Sequence, residues 1–431
     1  MAFSVPAIDV TLEGDSATGG NAPDRVEAFR DLALGLFIHW SLDSALGLEI
    51  SHPMIGASER VLSQYEREFA PRFNPRRFDP EDYADLAETV GMKYFCLTAK
   101  HHAGYCLYRT ATTDFNVMNS RFGRDVVAAF VAAFRRRGLA TGLYFSPFDF
   151  HWLRRRGIPL RFADPEVLPA NNPDLMAYNQ AQVRELLTQY GDIDLFFFDG
   201  PPEGLKETVW RTSPRTLVTR GEMPTPEQCL PETALEGAWE ACHTLGGQWG
   251  WHPSPAMLLD KTPRRLVELL IETRAKGGNL LLNVTPNPDG TIPVEQERAL
   301  RELGLWLFWH GPAIYRVRPY RVVREPDQAI FYTRSRDDDT VYAFLADAVA
   351  FDRGQRRQFL LKEVAAGPAT RVELLGQNGA ILEHAPRELD ATTKFEQRPE
   401  GLWIDAMRCL RPCGQSVYPY PFVLKIEHPA P

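Results

Sequence analysis

The chain has 431 residues, of which 44% are hydrophobic and 24% charged, and its formal net charge is −8 at pH 7. These values are ordinary for a globular protein and exclude disordered, collagen-like and coiled-coil chains. The acidic balance and the shortness of the Lys/Arg runs disfavour nucleic acid and anionic membranes as partners. The longest apolar runs, such as 305–309, fall far short of the roughly 18 residues of a membrane-spanning helix.

The N-terminal stretch 1–6 contains neither a basic segment nor an apolar core, so it does not have the pattern of a secretory signal. The six cysteines show no CxxC spacing, and reduced cysteines are usual in the cytosol. The sequence therefore predicts a cytoplasmic protein. A secreted protein that has been trimmed of its signal is the alternative.

Between residues 30 and 290, short β-rich runs alternate with segments of helical periodicity. In chain order, the predicted strands are 34–40, 93–100, 140–146, 193–200, 215–221 and 279–286, and the predicted helices are 80–90, 125–137, 174–190 and 261–276. Repeated strand-then-helix units predict a parallel sheet, and continuously apolar strands predict that both of its faces are buried. We therefore predict a (β/α)8-like TIM barrel, of which the sequence pattern leaves one or two strands unassigned.

After about residue 317 the pattern changes to short β-rich runs that are separated by turn-like spacers. These runs are 329–333, 340–345, 371–375, 402–406 and 422–427. They favour a small antiparallel β-sandwich. The predicted organisation is an N-terminal lead-in (1–25), a catalytic barrel (26–317) and a C-terminal β-sandwich (318–431).

The polar residues that close the predicted barrel strands are the candidates for chemistry, because TIM-barrel active sites lie at the C-terminal ends of the strands. Asp199 closes an apolar run and precedes a glycine. This placement suits a nucleophile or a metal ligand, with a helix cap or turn as the structural alternative. His39 closes the first run, and His101 and His102 follow the second. Adjacent residues point to opposite faces of a regular strand, but the two histidines can converge where the strand turns into a loop.

The carboxylate residues are the basis for predicting which reaction the site supports. Glycoside hydrolysis needs two of them, one ionised and one protonated, and Asp199 supplies the first. The sequence alone does not rank the candidates for the second, which are Glu49, Glu222, Glu227, Glu236 and Glu240. His39 and the His101–His102 pair could instead hold a metal ion with Asp199, although the HxH and HExxH spacings are absent.

Five motifs together resemble the α-L-fucosidases of glycoside hydrolase family 29. They are GLFIHW at 35–40, TAKHHAGYCL at 98–107, GLYFS at 142–146, FDG at 198–200, and GGNLLLNV at 277–284 with Asp289-Gly290. They follow the family's order over roughly residues 30 to 320. Each motif is weak alone, but five in order are highly specific.

The resemblance implies a retaining exo-α-L-fucosidase that uses neither a metal nor another cofactor and acts on a fucosylated oligosaccharide or glycoconjugate. Asp199 matches the family's nucleophile, and Glu227, seven residues after Arg220, aligns with the proton donor. Glu49 resembles the glutamate of a Glu-Trp-Tyr element that contacts substrate. Here the element reads Glu49-Ile50-Ser51, so an aromatic side chain of the pocket is missing.

The predicted substrate-binding residues combine hydrogen-bonding groups with aromatic rings. They are His39, Glu49, His101, His102, Tyr144, Phe197, Arg220 and Trp251. By the resemblance, the three histidines bind fucose hydroxyls. Trp40, Phe197, Trp249 and Trp251 are candidate walls against the apolar face of a pyranose. Glu240 is interpreted as structural or pocket-lining.

The same residues are compatible with two other functions. One is a metal-dependent barrel hydrolase that uses His39, His101 and Asp199, which a chelator would inactivate. The other is a catalytically silent fucose-binding barrel. No pattern indicates the fucosyl linkage, the aglycone, the role of the C-terminal domain or the oligomeric state.

Overall fold

The computed structural model describes residues 19–161, 163–346, 354–379, 389–409 and 420–430. Most of the predicted lead-in 1–25 lies outside these residues. The first described helix begins at Pro23, and the first strand of the C-terminal sheets begins at Val317. Among the described residues, no helix has the length and apolar character needed to span a membrane.

The N-terminal part is built on a curled parallel sheet whose strand order is β5-β4-β3-β2-β1-β7-β6. Its strands are β1 (Leu34–Ile38), β2 (Tyr94–Lys100), β3 (Ala140–Phe145), β4 (Leu195–Phe198), β5 (Leu217–Val218), β6 (Glu240–Thr244) and β7 (Asn279–Val284). Every residue of these strands is buried, as expected for apolar strands that are covered on both faces. The predicted TIM-like fold is therefore confirmed, and all six predicted strands are present.

The described sheet has seven regular strands rather than eight, and an irregular segment, 223–228, runs along the free edge of β6. The backbone N–H groups of Glu240 and Cys242 donate to the carbonyls of Pro224 and Pro226, each at 3.1 Å. A parallel bridge joins Glu227 to Cys242. Because proline has no N–H to donate, two prolines keep this segment from forming a regular ladder.

Helices follow most of the strands and cover the sheet. They are α1 (Pro23–Leu32), α2 (Glu59–Gln64), α3 (Ala70–Arg72), α4 (Pro80–Val90), α5 (Val126–Arg136), α6 (Phe150–Arg155), α7 (Pro173–Thr188), α8 (Lys206–Thr212), α9 (Pro255–Leu258), α10 (Pro263–Ala275) and α11 (Val294–His310). The four predicted helices correspond to α4, α5, α7 and α10. Each of these starts after a side chain that accepts a backbone N–H: Asp79, Asp125, Asn172 and Thr262.

Within the described residues, the C-terminal part contains two antiparallel sheets. Their strands are β8 (Val317–Arg324), β9 (Ile330–Ser335), β10 (Val341–Leu345), β11 (Arg356–Leu361), β12 (Ala366–Leu374), β13 (Lys394–Arg398), β14 (Gly401–Met407) and β15 (Phe422–Pro429). The sheet orders are β12-β15-β10-β9-β8 and β11-β14-β13. Buried side chains of both sheets, such as Leu424 and Ile404, share one apolar cluster. This arrangement confirms the predicted β-sandwich, and β8, β11 and β13 are the strands that the sequence pattern missed.

Glu240 makes the stability of the fold depend on pH. Its side chain is buried at the start of β6, where the Tyr94 hydroxyl donates a hydrogen bond of 2.6 Å to Oε2. Burial raises the pKa of Glu240 from 4.5 to about 7, although the Tyr94 hydrogen bond opposes this change. Because the pKa of Glu240 is higher in the folded state than in the unfolded state, the contribution of this carboxyl group to stability is fully present below its unfolded-state pKa. The contribution is lost as the pH rises through about 7.

We expect the Glu240→Gln variant to lose this pH dependence. Between pH 5 and pH 8, the unfolding free energy of the wild type should fall by about 2 to 3 kcal/mol more than that of the variant. Urea unfolding at the two pH values measures the difference. Glu236→Gln, at an exposed position, is the control and should follow the wild type. Parallel behaviour of Glu240→Gln and the wild type would contradict the assignment.

Candidate active site

A cavity of about 230 Å³ lies at the C-terminal ends of the parallel strands. Nine of the ten residues predicted from the sequence line it: His39, Glu49, His101, His102, Tyr144, Phe197, Asp199, Arg220 and Glu227. They come from the ends of β1 to β5 and from the loops that follow, so residues far apart in sequence meet at one end of the barrel. This is the end at which TIM barrels place their chemistry.

Asp199 follows the last residue of β4 and is held by three side chains. The Tyr144 hydroxyl donates a hydrogen bond of 2.6 Å to Oδ2, and His102 Nε2 lies 3.5 Å from the same oxygen. Arg220 Nη2 lies 3.5 Å from Oδ1. Burial alone would raise the pKa of Asp199, but the positive charges of His102, when protonated, and of Arg220, together with the Tyr144 hydrogen bond, outweigh it and lower the pKa. Asp199 is therefore an ionised carboxylate at neutral pH.

Glu227 presents the second carboxylate from the irregular segment 223–228. Arg220 Nη1 donates to its Oε2 at 2.9 Å, and Trp249 Nε1 donates to its Oε1 at 3.0 Å. One guanidinium group thus contacts both Glu227 and Asp199. The side chain of Glu227 is 38% exposed, against 23% for Asp199, so it lies nearer the solvent side of the cavity.

The structure reduces the five candidate glutamates, all of which it describes, to two. Glu227 and Glu49 line the cavity. Glu240 is bonded to Tyr94 at the opposite end of the barrel, and Glu222 pairs with Lys206 at 2.8 Å. Glu236 is exposed in the loop before β6. Neither of the two that line the cavity can be selected by sequence pattern alone, because both stand in loops.

The adjacent residues His101 and His102 both reach the cavity. Lys100 is the last residue of β2, and the chain turns immediately after it. The two rings lie 4.2 Å apart. Hydroxyl groups hold their Nδ1 atoms: Ser51 Oγ lies 2.7 Å from His101 Nδ1, and Ser146 Oγ lies 2.6 Å from His102 Nδ1. The expected convergence at a strand end is therefore present.

Three of the histidines that line the cavity, His39, His101 and His102, are neutral at physiological pH. Burial lowers the pKa of His39 and of His102 to about 4 and holds the pKa of His101 well below its usual value. The neighbouring imidazoles add to the effect, since each disfavours a charge on the next. Neutral imidazoles offer one donor and one acceptor each, which suits the recognition of sugar hydroxyls.

Aromatic rings form the remaining wall. Tyr144 stacks on Phe197 with a centroid separation of 5.6 Å, and the rings of His39 and Trp249 are 4.8 Å apart. Trp249 lines the cavity, whereas Trp251 is not among the described lining residues and donates its indole N–H to Asn287 at 2.7 Å. Both tryptophans belong to one short stretch, so the sequence pattern does not distinguish between them.

One group of possible metal ligands lies within the described residues. Ligand atoms of His101, His102 and Asp199 are all within 4.8 Å of one another, so His102 takes the place of His39 in the predicted ligand set. Two imidazoles and a carboxylate suit a transition metal. However, Arg220 already places a positive charge beside Asp199, and this charge opposes the binding of a cation at the same carboxylate.

Comparison with known proteins identifies the family. The alpha-L-fucosidase family model matches residues 19–312. The chain is 28% identical to the tissue alpha-L-fucosidase of Rattus norvegicus and 29% identical to the plasma alpha-L-fucosidase of Homo sapiens, covering 82% of this chain in each case and 82% and 85% of those proteins. Alpha-L-fucosidase isoenzyme 1 from Paenibacillus thiaminolyticus has a similar structure, with a TM-score of 0.72, 27% identity and coverage of 94% of this chain and 98% of that one. The chain therefore belongs to the α-L-fucosidases of glycoside hydrolase family 29.

Proposed function

We propose that Asp199 is the nucleophile and Glu227 the acid/base of a retaining exo-α-L-fucosidase that releases terminal fucose from glycans. The observation that carries this proposal is the contact of one guanidinium, that of Arg220, with both carboxylates in one cavity. Retaining hydrolysis requires two such groups on opposite sides of the reacting bond. Asp199 is ionised and is the less exposed of the two carboxylates, which suits it to attack. The more exposed Glu227 is suited to meet the departing group.

In the first step, an oxygen of Asp199 attacks C1 of the fucosyl residue while the Glu227 carboxyl gives its proton to the glycosidic oxygen. The C1–O bond to the aglycone breaks, and a β-linked fucosyl ester forms on Asp199. The negative charge that Asp199 loses is the charge that Glu227 gains. Arg220 therefore faces one carboxylate charge before and after the step, and its own charge is never left without a partner.

In the second step, Glu227 as a carboxylate removes a proton from water, and the water oxygen attacks C1 of the ester. Asp199 leaves as a carboxylate, and Glu227 regains the proton that it needs for the next cycle. The hydrogen bond from Tyr144 and the charge of Arg220 stabilise the departing Asp199 carboxylate. The two inversions at C1 give net retention of the α configuration.

Binding of the sugar follows from the remaining walls of the cavity. The neutral imidazoles of His39, His101 and His102 exchange hydrogen bonds with hydroxyl groups. The rings of Phe197 and Trp249 offer apolar surface to the C5 methyl group of fucose. A sugar without a hydroxyl at one of these points leaves a buried polar group unpaired, which reduces its affinity.

Hydrolysis of an aryl α-L-fucoside, with and without a chelator, tests the function. We expect turnover by the wild type and no change after prolonged treatment with EDTA, because the proposed residues act without a metal. Loss of activity on chelation and recovery with a divalent ion would favour the His101, His102 and Asp199 group as a metal centre. Binding of fucose without turnover would identify a silent sugar-binding barrel.

We propose that the protein is cytoplasmic. The structure describes five cysteines, Cys96, Cys106, Cys229, Cys242 and Cys409, and none of these five is in a disulfide. Cys413 lies outside the described residues. Free thiols are typical of reducing compartments. Fractionation of the source cells tests this location, and recovery of the protein outside the cells would contradict it.

A further inference from the structure

Asn283 is a residue of β7, and its side chain contacts two residues that line the cavity, His39 and Trp249. Its side chain is fully buried. The amide Nδ2 donates to the backbone carbonyl of Trp249 at 2.9 Å, and the amide Oδ1 lies 2.7 Å from His39 Nδ1. The carbonyl of Trp249 can only accept a hydrogen bond, so the NH₂ group of Asn283 must face it. The orientation of the amide is therefore determined, and its oxygen faces His39.

This orientation fixes the tautomer of His39. An amide oxygen can only accept, so His39 Nδ1 must carry the proton and donate it to Asn283. Burial lowers the pKa of His39 to about 4, so the ring holds one proton at neutral pH. Nε2 is then an unprotonated acceptor on a residue that lines the cavity. A ligand must donate a hydrogen bond to satisfy it.

The Nδ1 atoms of His101 and His102, which also line the cavity, face hydroxyl groups instead of an amide. His101 Nδ1 contacts the Ser51 hydroxyl and His102 Nδ1 contacts the Ser146 hydroxyl. A hydroxyl group either donates or accepts, so the Ser51 contact is compatible with both tautomers of His101. His102 differs, because its Nε2 lies 3.5 Å from Oδ2 of the Asp199 carboxylate, an acceptor that favours a proton on Nε2. Asn283 therefore assigns His39 a single hydrogen-bonding role, because its amide oxygen, unlike a hydroxyl group, can only accept.

We infer that Asn283 is a positioning residue that makes His39 an obligatory acceptor for one sugar hydroxyl. This inference rests on the proposed function for its substrate. The same amide also anchors the backbone of Trp249, whose indole N–H donates to Glu227. Asn283 thus connects the recognition of the sugar ring to the placement of the acid/base. Sugars that lack a donor at this point leave a buried Nε2 unpaired and are rejected.

The tautomer can be measured without any assay of activity. Long-range ¹H–¹⁵N correlation spectra of ¹⁵N-histidine-labelled protein distinguish a protonated from an unprotonated ring nitrogen, and a His39→Gln sample assigns the signals. We expect His39 to be protonated at Nδ1 and unprotonated at Nε2 at pH 7. The opposite tautomer would overturn the inference even if the fucosidase assay succeeds. If the assay fails and the tautomer is as expected, the proposed function fails and the role of Asn283 in orienting His39 stands.

The Asn283→Asp variant tests the consequence for binding. A carboxylate in place of the amide raises the pKa of His39 and protonates Nε2 at neutral pH, so the acceptor becomes a donor. We expect KM for an aryl fucoside to rise about tenfold to a hundredfold at neutral pH. The defect should diminish at alkaline pH, where the ring again loses its second proton, and Asn283→Leu should show no such recovery. If KM of Asn283→Asp depends on pH in the same way as KM of the wild type, the inference is overturned.

Asn279→Asp is the matched control for a new carboxylate on a buried residue of the same strand. Asn279 lies at the other end of β7, where Arg274 Nη1 donates to its Oδ1 at 2.9 Å. Arg274 can compensate the added charge there. We expect this variant to keep the wild-type pH profile of kcat/KM. The same alkaline recovery in both variants would show that the effect is not specific to His39 and would overturn the inference.

Discussion

The Asp199→Gly variant is expected to lose hydrolysis of an aryl α-L-fucoside, with kcat at least about a thousandfold below that of the wild type. The substitution removes the atom that attacks C1 and leaves space beside Tyr144 and Arg220. Azide added to the variant should enter this space and displace the aryl group directly. The product should then be β-fucosyl azide, because a single displacement inverts the configuration at C1.

Asp192→Gly is the control for this experiment. Asp192 is exposed and lies before the first residue of β4, at the opposite end of the strand from Asp199. We expect this variant to keep wild-type kcat. Thermal unfolding of both variants shows whether they are folded. A folded Asp199→Gly variant with kcat within tenfold of the wild type would contradict the assignment of the nucleophile.

The Glu227→Ala variant should show a defect that depends on the leaving group. Protonation of the glycosidic oxygen contributes about a hundredfold to ten-thousandfold, so kcat/KM should fall by this factor for glycan substrates. It should remain near the wild-type value for 2,4-dinitrophenyl fucoside, whose leaving group needs no proton. Azide should intercept the ester on Asp199 and give α-fucosyl azide, the anomer opposite to that from Asp199→Gly.

Glu49→Ala is the discriminating comparison, because Glu49 is the other candidate glutamate that lines the cavity. We expect this variant to raise KM for good and poor leaving groups alike, as a substrate-binding residue would. Rate loss confined to poor leaving groups, together with α-fucosyl azide formation, would transfer the acid/base role from Glu227 to Glu49. The role of Asp199 is unaffected by either result.

The barrel was predictable from the sequence because the strands of a parallel sheet, buried on both faces, are continuous apolar runs. The strand β6 was not, since Glu240 and His243 interrupt its apolar character. The pairing of Glu240 with Tyr94 makes a buried carboxyl tolerable there, and this pairing is a three-dimensional contact that the local pattern does not contain. The segment 223–228 was not predicted to pair with a strand for a related reason. Its two prolines are atypical of a strand, so the sequence pattern does not indicate its pairing with β6.

The sequence predicts the residues that line the cavity at strand ends, but it does not predict the residues that position them through hydrogen bonds. Asp199 and the histidines follow strand ends, so the barrel rule predicted their convergence. Ser51 and Asn283 were not predicted, because nothing in a sequence shows which ring nitrogen a distant side chain contacts. In the structure, Ser51 has a positive φ of 63° although it is not a glycine. Backbone strain of this kind is found at functional sites.

Identification of the residue that carries the covalent intermediate tests the double-displacement mechanism. Wild-type protein is treated with 2-deoxy-2-fluoro-fucosyl fluoride, in which the fluorine at C2 slows hydrolysis of the ester, and is then digested and analysed by mass spectrometry. We predict a single fluorofucosyl adduct on the peptide that contains Asp199, with loss of activity in proportion to labelling. An adduct on Glu227 or Glu49, or full turnover of fucosides with no adduct under any labelling condition, would contradict the mechanism.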